Sequence, residues 1–195
     1  LIVEDGAPAA EPILEIRVSD GASPLFLHYD YREINQGPLG YIVENRLTRL
    51  ALMHRVVDLE DAKLLQGRIV ETLHRDPDRA QAMLDDGMVI SAGLVIAADG
   101  RNSPIRREAG IGQTQWDYGQ SGIVCTIAHE RPHRGVAQEH FLPAGPFAIL
   151  PMTGNRSSLV WTEQSDLAPR ILALDDQAFA DELSLRFGDY LGELT

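Results

Sequence analysis

The sequence predicts a mixed α/β chain with α+β character, in which a mixed β-sheet packs with helices. Short apolar runs typical of strands fill residues 121–128, 136–142, 147–151 and 157–162. Two helical patterns follow these runs at the C-terminus, the second of them capped by Asp175 or Asp176. Near residue 100, a continuous apolar run leads directly into a short capped helix.

The N-terminal part predicts a hairpin followed by a helix. Residues 13–18 alternate between apolar and polar side chains, and residues 24–29 form a second apolar and aromatic run. Ser19-Asp20-Gly21 predicts the turn that joins these two strands. After the helix-breaking residues 35–40, the spacing of apolar side chains predicts a helix over residues 42–54.

The middle of the chain predicts short antiparallel strands. Residues 55–91 carry apolar pairs and triplets separated by Gly67, Asp76-Pro77 and Asp85-Asp86-Gly87, and an Asp-Gly dipeptide is typical of a hairpin turn. Residues 93–98 are continuously apolar, which predicts a strand that is buried on both faces.

A short helix is predicted directly after that run. Ser103 is placed as its N-cap, Pro104 occupies the first helical position, and Gly110 ends the helix. Backbone N–H groups at a helix N-terminus bind anions, so Asp99-Gly100 marks a candidate nucleotide site.

The side chains around this turn suit a nucleotide. Asp99 can accept hydrogen bonds from ribose hydroxyls, while Arg101 and Arg106 can bind phosphate oxygens. The alternative is that Asp99-Gly100 is only a tight turn and that Ser103 is only a cap.

Composition excludes several classes of protein. The formal net charge is −12 and Lys and Arg are not clustered, so we expect no nucleic-acid partner. Cys125 is the single cysteine, which excludes an internal disulfide, and we expect it to be a buried, unreactive thiol in a reducing cytoplasm. Neither the six histidines nor Cys125 show the spacing of metal ligands, so no metal site is predicted.

No apolar stretch approaches the roughly 18 to 20 residues of a membrane-spanning helix, and no secretion signal is evident. The chain begins at Leu1 without an initiator methionine, so we expect it to be a fragment or a processed product.

Residues 94–106, LVIAADGRNSPIR, resemble the Asp-Gly motif of the para-hydroxybenzoate-hydroxylase-like flavoprotein monooxygenases. The motif is an apolar strand followed by D-G-x-x-S-x-x-R, and in that family it lies against the flavin nucleotide and is tied to use of the nicotinamide cofactor. The resemblance implies cofactor binding by five residues: Asp99, Gly100, Arg101, Ser103 and Arg106.

Further stretches resemble the ubiquinone-biosynthesis branch of the family. Residues 40–47 are similar to the start of the helix that approaches the flavin, which implies that Glu44, Asn45 and Arg46 lie near the cofactor. Residues 147–152 and 158–162 are similar to paired strands of the substrate domain. The implied pocket residues are Phe147, Leu150, Pro151 and Trp161, and the alternative for each is an ordinary core position.

The resemblance implies an enzyme in which NAD(P)H reduces FAD and one oxygen atom is transferred to a polyprenyl phenol, with 2-octaprenyl-6-methoxyphenol as the expected type of substrate. It also implies a division of the chain. Residues 1–112 would be a partial, Rossmann-like FAD-binding domain, and residues 113–195 part of the substrate domain. No residue is assigned as catalytic, because the oxygen chemistry belongs to the cofactor.

The family's other flavin motifs are missing from this sequence. No G-x-G-x-x-G precedes the Asp-Gly segment, and Gly110-Ile111-Gly112 lacks the third glycine. Gly188-Asp189 is followed by Tyr190-Leu191, unlike the family's Gly-Asp motif near the C-terminus. We therefore expect the chain by itself neither to retain FAD nor to catalyse hydroxylation.

Two alternatives remain open at this point. One is a non-catalytic module of the same origin that binds a quinone-pathway lipid or a partner protein. The other is a related flavoprotein that acts on a soluble aromatic compound, or a halogenase or reductase relative. For the hydroxylase that the resemblance implies, we expect a cytoplasmic protein. We also expect peripheral contact to the inner membrane or to other ubiquinone-pathway proteins, because the implied substrate is a lipid.

Overall fold

This computed structural model describes residues 3–4 and 7–195, which form two compact units. The first unit joins the residues up to His54 with Asp117–Thr195, and the second is Arg55–Trp116. The boundary that we expected after residue 112 lies close to the second of these junctions. The junction after His54 was not expected, and the assignment of cofactor and substrate roles to the two parts stays a prediction.

The first unit contains most of the regular structure. Its N-terminal elements are β1 (Val3–Glu4), β2 (Ala7–Pro8), β3 (Ala10–Ile13), β4 (Glu15–Asp20), β5 (Phe26–Asp30), α1 (Tyr31–Ile34), β6 (Gly40–Val43) and α2 (Asn45–Val57), the last of which continues past the junction. Its C-terminal elements are β10 (Gln120–Ala128), β11 (Val136–Leu142), β12 (Gly145–Met152), β13 (Arg156–Gln164), α4 (Ala168–Leu172) and α5 (Asp176–Phe187).

A six-stranded sheet with the order β10-β13-β12-β11-β4-β5 organises this unit. Its neighbouring strands are antiparallel except β4 and β11, which run parallel with Val136 opposite Glu15 and Phe141 opposite Asp20. This pair connects the N-terminal hairpin to the C-terminal strands and makes one continuous sheet. The predicted hairpin and the four predicted C-terminal strands are confirmed.

The first face of the sheet carries the hydrophobic core. Phe147, Leu159 and Trp161 are almost completely buried there, together with apolar residues of α4 and α5 such as Leu183. Asp175 caps α5 as predicted, because its side chain accepts a hydrogen bond from the Ala178 N–H. Because side chains along a strand alternate between the two faces of the sheet, every second side chain of these strands packs against the helices.

The second face of the sheet is the face away from α4 and α5. By strand register it carries Val18, Leu27, Val124, Glu139, Phe141, Ala148, Leu150 and Val160. Several of its large apolar side chains are exposed, among them Leu27, Val124 and Phe141. Their exposure leaves apolar area on this face that packing within the unit does not cover.

The second unit is built on a three-stranded antiparallel meander, β7 (Val70–Arg75), β8 (Ala80–Leu84) and β9 (Val89–Ala92), followed by α3 (Pro104–Glu108). The predicted Asp-Gly hairpin is present between β8 and β9. Gly87 has a φ of 83°, and the Asp86 side chain accepts a hydrogen bond from the Met88 N–H at 3.0 Å. The predicted antiparallel hairpins are confirmed for residues 70–92. The prediction is wrong for residues 55–69, because Val56 and Val57 belong to α2 and residues 58–69 form no strand.

The strand predicted over residues 93–98 is wrong for this chain. Residues 94–98 have no regular secondary structure, and Leu94 and Ile96 are 75% and 81% exposed. A strand exists only when a neighbouring strand accepts its hydrogen bonds, and no described segment pairs with these residues. The apolar composition of the run is thus not matched by burial within the described residues.

The predicted helix over residues 42–54 is present but displaced. It begins at Asn45 and ends at Val57, while Ile42 and Val43 belong to β6. Pairing of Ile42 with Glu11 of β3 overrides the helical spacing at this end. Cys125 is half-buried against the core, and burial raises the pKa of its thiol, as expected for an unreactive cysteine.

None of the helices in the described residues has the length and apolar character needed to cross a bilayer.

Replacing Leu159 by Ala should lower the free energy of unfolding by about 2–5 kcal/mol, because Leu159 is 0% exposed and its loss leaves a cavity between sheet and helices. Val124→Ala on the neighbouring strand is the matched control. Val124 is 68% exposed, so its truncation should change stability by less than about 0.5 kcal/mol. Urea unfolding of the three proteins checks this, and equal losses for both variants would contradict the proposed core.

Gly135→Ala should lower the free energy of unfolding by about 2–4 kcal/mol. Gly135 has a φ of 71°, and a Cβ there would lie 2.8 Å from Cγ of Leu14 and 3.0 Å from the Pro12 carbonyl oxygen. Gly112→Ala is the control, since a Cβ at Gly112 meets no atom within 4 Å. Thermal unfolding that shows the same midpoint for both variants would rule out the close approach at Gly135.

Candidate functional site

The Asp-Gly segment in the second unit has a defined hydrogen-bond geometry. The Ser103 hydroxyl donates to Oδ1 of Asp99 at 2.5 Å, and Oγ of Ser103 accepts from the Arg106 N–H at 2.9 Å. The hydrogen bond from Ser103 is the main reason that the pKa of Asp99 lies below its usual range, with a smaller contribution from the Arg106 charge. Asp99 is therefore a carboxylate at neutral pH and Ser103 is the predicted cap.

The N-terminus of α3 is closed by the protein's own side chains. The Ile105 N–H points to Oδ2 of Asp99 at 3.3 Å, the Arg106 N–H is taken by Ser103, and Pro104 has no N–H. The expectation that backbone N–H groups of this helix bind an anion is therefore not supported by its geometry, because its first donors are already occupied. An anion at this position would have to be bound by side chains.

Arg106 supplies such donors. Its Nη1 donates to the Arg101 carbonyl oxygen at 2.9 Å, whereas its Nε is buried and has no hydrogen-bond partner among the described residues. A buried guanidinium N–H without a partner is unfavourable, and a phosphate or carboxylate oxygen would satisfy it. Asp99, Ser103 and Arg106 are thus brought together as predicted, while Arg101 participates through its carbonyl and Gly100 supplies the left-handed turn at φ 91°.

A cleft of about 660 Å³ opens beside these residues within the second unit. Two further arginines, Arg75 and Arg79, line it from the β7–β8 hairpin, together with Asp76. Sequence reasoning missed both arginines, although they flank the Asp76-Pro77 turn closely enough to have been noticed. Three guanidinium groups around one cleft form a donor set that suits phosphate.

Glu44, Asn45 and Arg46 lie at the junction of β6 and α2 in the first unit. The Glu44 carboxylate is bonded to the Arg156 guanidinium of β13 at 3.1 Å and lies 3.6 Å from Arg46. Arg156 also donates to Oγ1 of Thr153. The Glu44–Arg156 contact was missed because 112 residues separate its partners and neither carries a local signal. The predicted role of the three residues near a flavin stays a prediction.

The predicted pocket residues are divided between the two faces of the sheet. Phe147 and Trp161 are 1% exposed, pack edge to face at 6.3 Å, and lie with Pro151 among the fully buried side chains. The guanidinium of Arg186 covers the Trp161 ring at 4.3 Å. These three side chains are core residues in the structure and present no surface to a ligand. Leu150 points to the second face and is half-buried there.

The structure also brings together a group that the sequence did not reveal. Ligand atoms of Glu15, His28 and Asp30 lie within 4.8 Å of one another, because β4 and β5 pair across the sheet. Each carboxylate is already bonded to an arginine: Glu15 to Arg17 at 2.9 Å and Asp30 to Arg32, which holds the pKa of Asp30 well below its usual range. The three residues and the two arginines therefore form an ion-pair network that needs no bound metal to balance its charges.

No model of a protein family matches the chain. It is 58% identical over 183 residues to the ubiquinone hydroxylase UbiL of Rhodospirillum rubrum, which covers 94% of this chain and 42% of UbiL. It is 33% identical over 167 residues to the 3-demethoxyubiquinol 3-hydroxylase of Escherichia coli K12, covering 86% of this chain and 43% of that protein. The chain thus spans about two fifths of the length of these relatives.

Solved structures show the same fold. PqsL, a probable FAD-dependent monooxygenase from Pseudomonas aeruginosa, superposes with a TM-score of 0.75 at 20% identity, over 90% of this chain and 49% of PqsL. Identity at this level supports the fold alone. The sequence relatives are more specific: over most of its length the chain is homologous to part of the ubiquinone-biosynthesis hydroxylases, and its fold is that of the FAD-dependent monooxygenases.

Proposed function

We propose that this chain is part of an FAD-dependent monooxygenase that hydroxylates a polyprenylated phenol in ubiquinone biosynthesis, with NAD(P)H as the reductant. The observation that carries the proposal is the 58% identity with a ubiquinone hydroxylase over 94% of the chain. The cleft in the second unit supports it, because its chemistry suits a nucleotide.

The residues around this cleft fit the phosphate and ribose groups of FAD or of the nicotinamide cofactor. Guanidinium donors come from Arg75, Arg79 and Arg106. The Nε of Arg106 is buried without a hydrogen-bond partner among the described residues, so an oxygen of the cofactor would satisfy it. Asp99 is ionised and can accept hydrogen bonds from ribose hydroxyls. A bound flavin supplies the oxygen chemistry, and this chain's own contribution is binding and orientation.

The second face of the six-stranded sheet fits the substrate. A polyprenylated phenol is apolar over most of its surface, and this face exposes Leu27, Val124 and Phe141. Of the four residues predicted for the pocket, Leu150 has the orientation that this role requires. Phe147, Pro151 and Trp161 would support the pocket indirectly by fixing the strands through the core.

The chain by itself should not copurify with stoichiometric flavin. Its cleft offers arginines, but a G-x-G-x-x-G turn is not among the residues of the chain, and the apolar run beside the cleft is exposed. The visible absorption spectrum of the purified chain checks this, with a full-length protein that contains it as the control. Stoichiometric flavin in the isolated chain would contradict the expectation.

Arg106→Lys in such a full-length protein should weaken FAD binding about 10- to 100-fold, because a lysine keeps the charge but loses the planar set of N–H donors. Arg107→Lys is the matched control, since Arg107 is an exposed neighbour on the same helix. Flavin fluorescence titrations measure both affinities. Equal FAD affinities for the two variants would show that the Arg106 guanidinium does not contact FAD.

A further inference from the structure

Glu139 is a carboxylate on the second face of the sheet, on the inner strand β11. It lies on β11 between Val18 of β4 and Ala148 of β12, its direct register partners. Phe141 follows it on the same face of the same strand, and Leu150 lies diagonally across on β12. The side chains immediately around this carboxylate are therefore apolar.

Glu139 has no partner among the described residues. The other shielded carboxylates of the sheet each face an arginine: Glu15 with Arg17, Asp30 with Arg32, and Glu163 with Arg186 at 3.8 Å. No hydrogen bond or ion pair of this kind involves Glu139, and partial burial raises the pKa of its carboxyl group. Glu139 is partly buried and has no donor within the described residues, so its carboxylate is open to a hydrogen-bond donor from outside the chain.

The apolar neighbours of Glu139 favour one kind of hydrogen-bond donor over others. A hydrated cation would lose its water against the apolar side chains of Val18, Ala148 and Phe141. A hydroxyl group attached to an aromatic ring avoids that loss, because the ring and an alkyl chain can cover the apolar surface while the hydroxyl reaches the carboxylate. A shallow and mainly apolar depression lies beside the register neighbours of Glu139; it is lined by Val18, Leu25, Leu27 and Phe141, with Asp20 as its carboxylate.

We propose that Glu139 binds the ring hydroxyl of the prenylated phenol as its hydrogen-bond acceptor, with the apolar remainder of the substrate lying on the second face beside Val18 and Phe141. This inference rests on the proposed function and specifies a residue for it. None of the four pocket residues predicted from the sequence can fill this role, because their side chains carry no acceptor for a hydroxyl proton.

The carboxylate can also take the proton during hydroxylation. Transfer of the hydroxyl proton to Glu139 breaks the O–H bond and leaves its electron pair on the ring oxygen, which makes the ring carbons more nucleophilic. The activated ring carbon would then take up OH from the flavin-derived oxygen donor as the donor's O–O bond breaks. The donor's remaining oxygen would accept the proton that this carbon loses when the ring becomes aromatic again, and the proton on Glu139 returns to the ring oxygen. The carboxylate is thereby regenerated, and atoms and charge balance.

The test uses a full-length protein that contains this chain, with a short-chain 2-prenylphenol as the probe. Glu139→Gln should lower the rate of hydroxylation about 100-fold or more, as for loss of a proton acceptor, while KM and the reduction of the flavin change little. Glu15→Gln is the matched control on the adjacent strand. Its side chain faces the other side of the sheet, so hydroxylation should stay at the wild-type rate.

The pH profile separates this role from a structural one. A protonated Glu139 cannot accept a proton, so wild-type turnover should fall as the pH is lowered through the raised pKa of this group. That acid limb should be missing in Glu139→Gln. On the two strands that flank β11, Asp20 is the titratable group of the same face, opposite Phe141, and Asp20→Asn should keep the limb.

A binding measurement supplies a readout independent of turnover. With the flavin oxidised, the wild-type protein should bind 2-prenylphenol about tenfold more tightly than its methyl ether, which has no hydroxyl proton, and Glu139→Leu should abolish this preference. If the wild-type protein hydroxylates the phenol but Glu139→Gln matches it in rate and pH profile, the role of Glu139 is overturned and the proposed function stands. If a flavin-loaded wild-type protein hydroxylates no phenol, the proposed function fails, and the inference fails with it.

Discussion

The parallel pairing of β4 with β11 is the constraint on which the first unit depends. It joins segments 121 residues apart, as the hydrogen bond between Ser19 and His140 illustrates. The pairing starts at Gly135, whose carbonyl oxygen accepts the Leu14 N–H at 2.8 Å, and whose lack of a side chain lets the two segments approach. Closing so long a loop is entropically unfavourable, so the contact has to be supported by the rest of the sheet. Without it, the N-terminal hairpin would not extend the sheet and Glu139 would have no neighbour on that side.

Alternation along the same strands separates the core residues from the residues of the proposed substrate surface. Phe147, Leu159 and Trp161 face the helices and are buried, whereas Leu150 and Glu139, one residue out of phase, face the other side. A two-residue period allows one strand to serve both purposes. It also explains why the two stretches that resemble substrate-domain strands do pair in the sheet, while three of the four pocket residues predicted within them are core residues.

In the Asp-Gly segment, the side chains that complete the turn and the helix differ from those that remain available to an anion. Asp99 and Ser103 use their side chains to complete the turn and the start of α3, so the capping interpretation of these residues is correct as far as the helix is concerned. The groups left for an anion are guanidinium groups, and Arg75 and Arg79 join Arg106 only because the β7–β8 hairpin folds towards the turn. The proposed nucleotide binding would therefore depend on tertiary structure more than on the helix terminus.

The sequence by itself determined the features that are decided within a few residues: the Ser103 and Asp175 caps, the Asp86-Gly87 hairpin turn, and the alternating strands of the C-terminal half. It also identified the family through the Asp-Gly motif. Only the tertiary structure decided which alternate residues face the helices, that Glu44 contacts Arg156, and that residues 94–98 form no strand. Caps and turns are satisfied by adjacent backbone groups, whereas a strand, a buried face or an ion pair between distant segments exists only when another part of the chain supplies its partner.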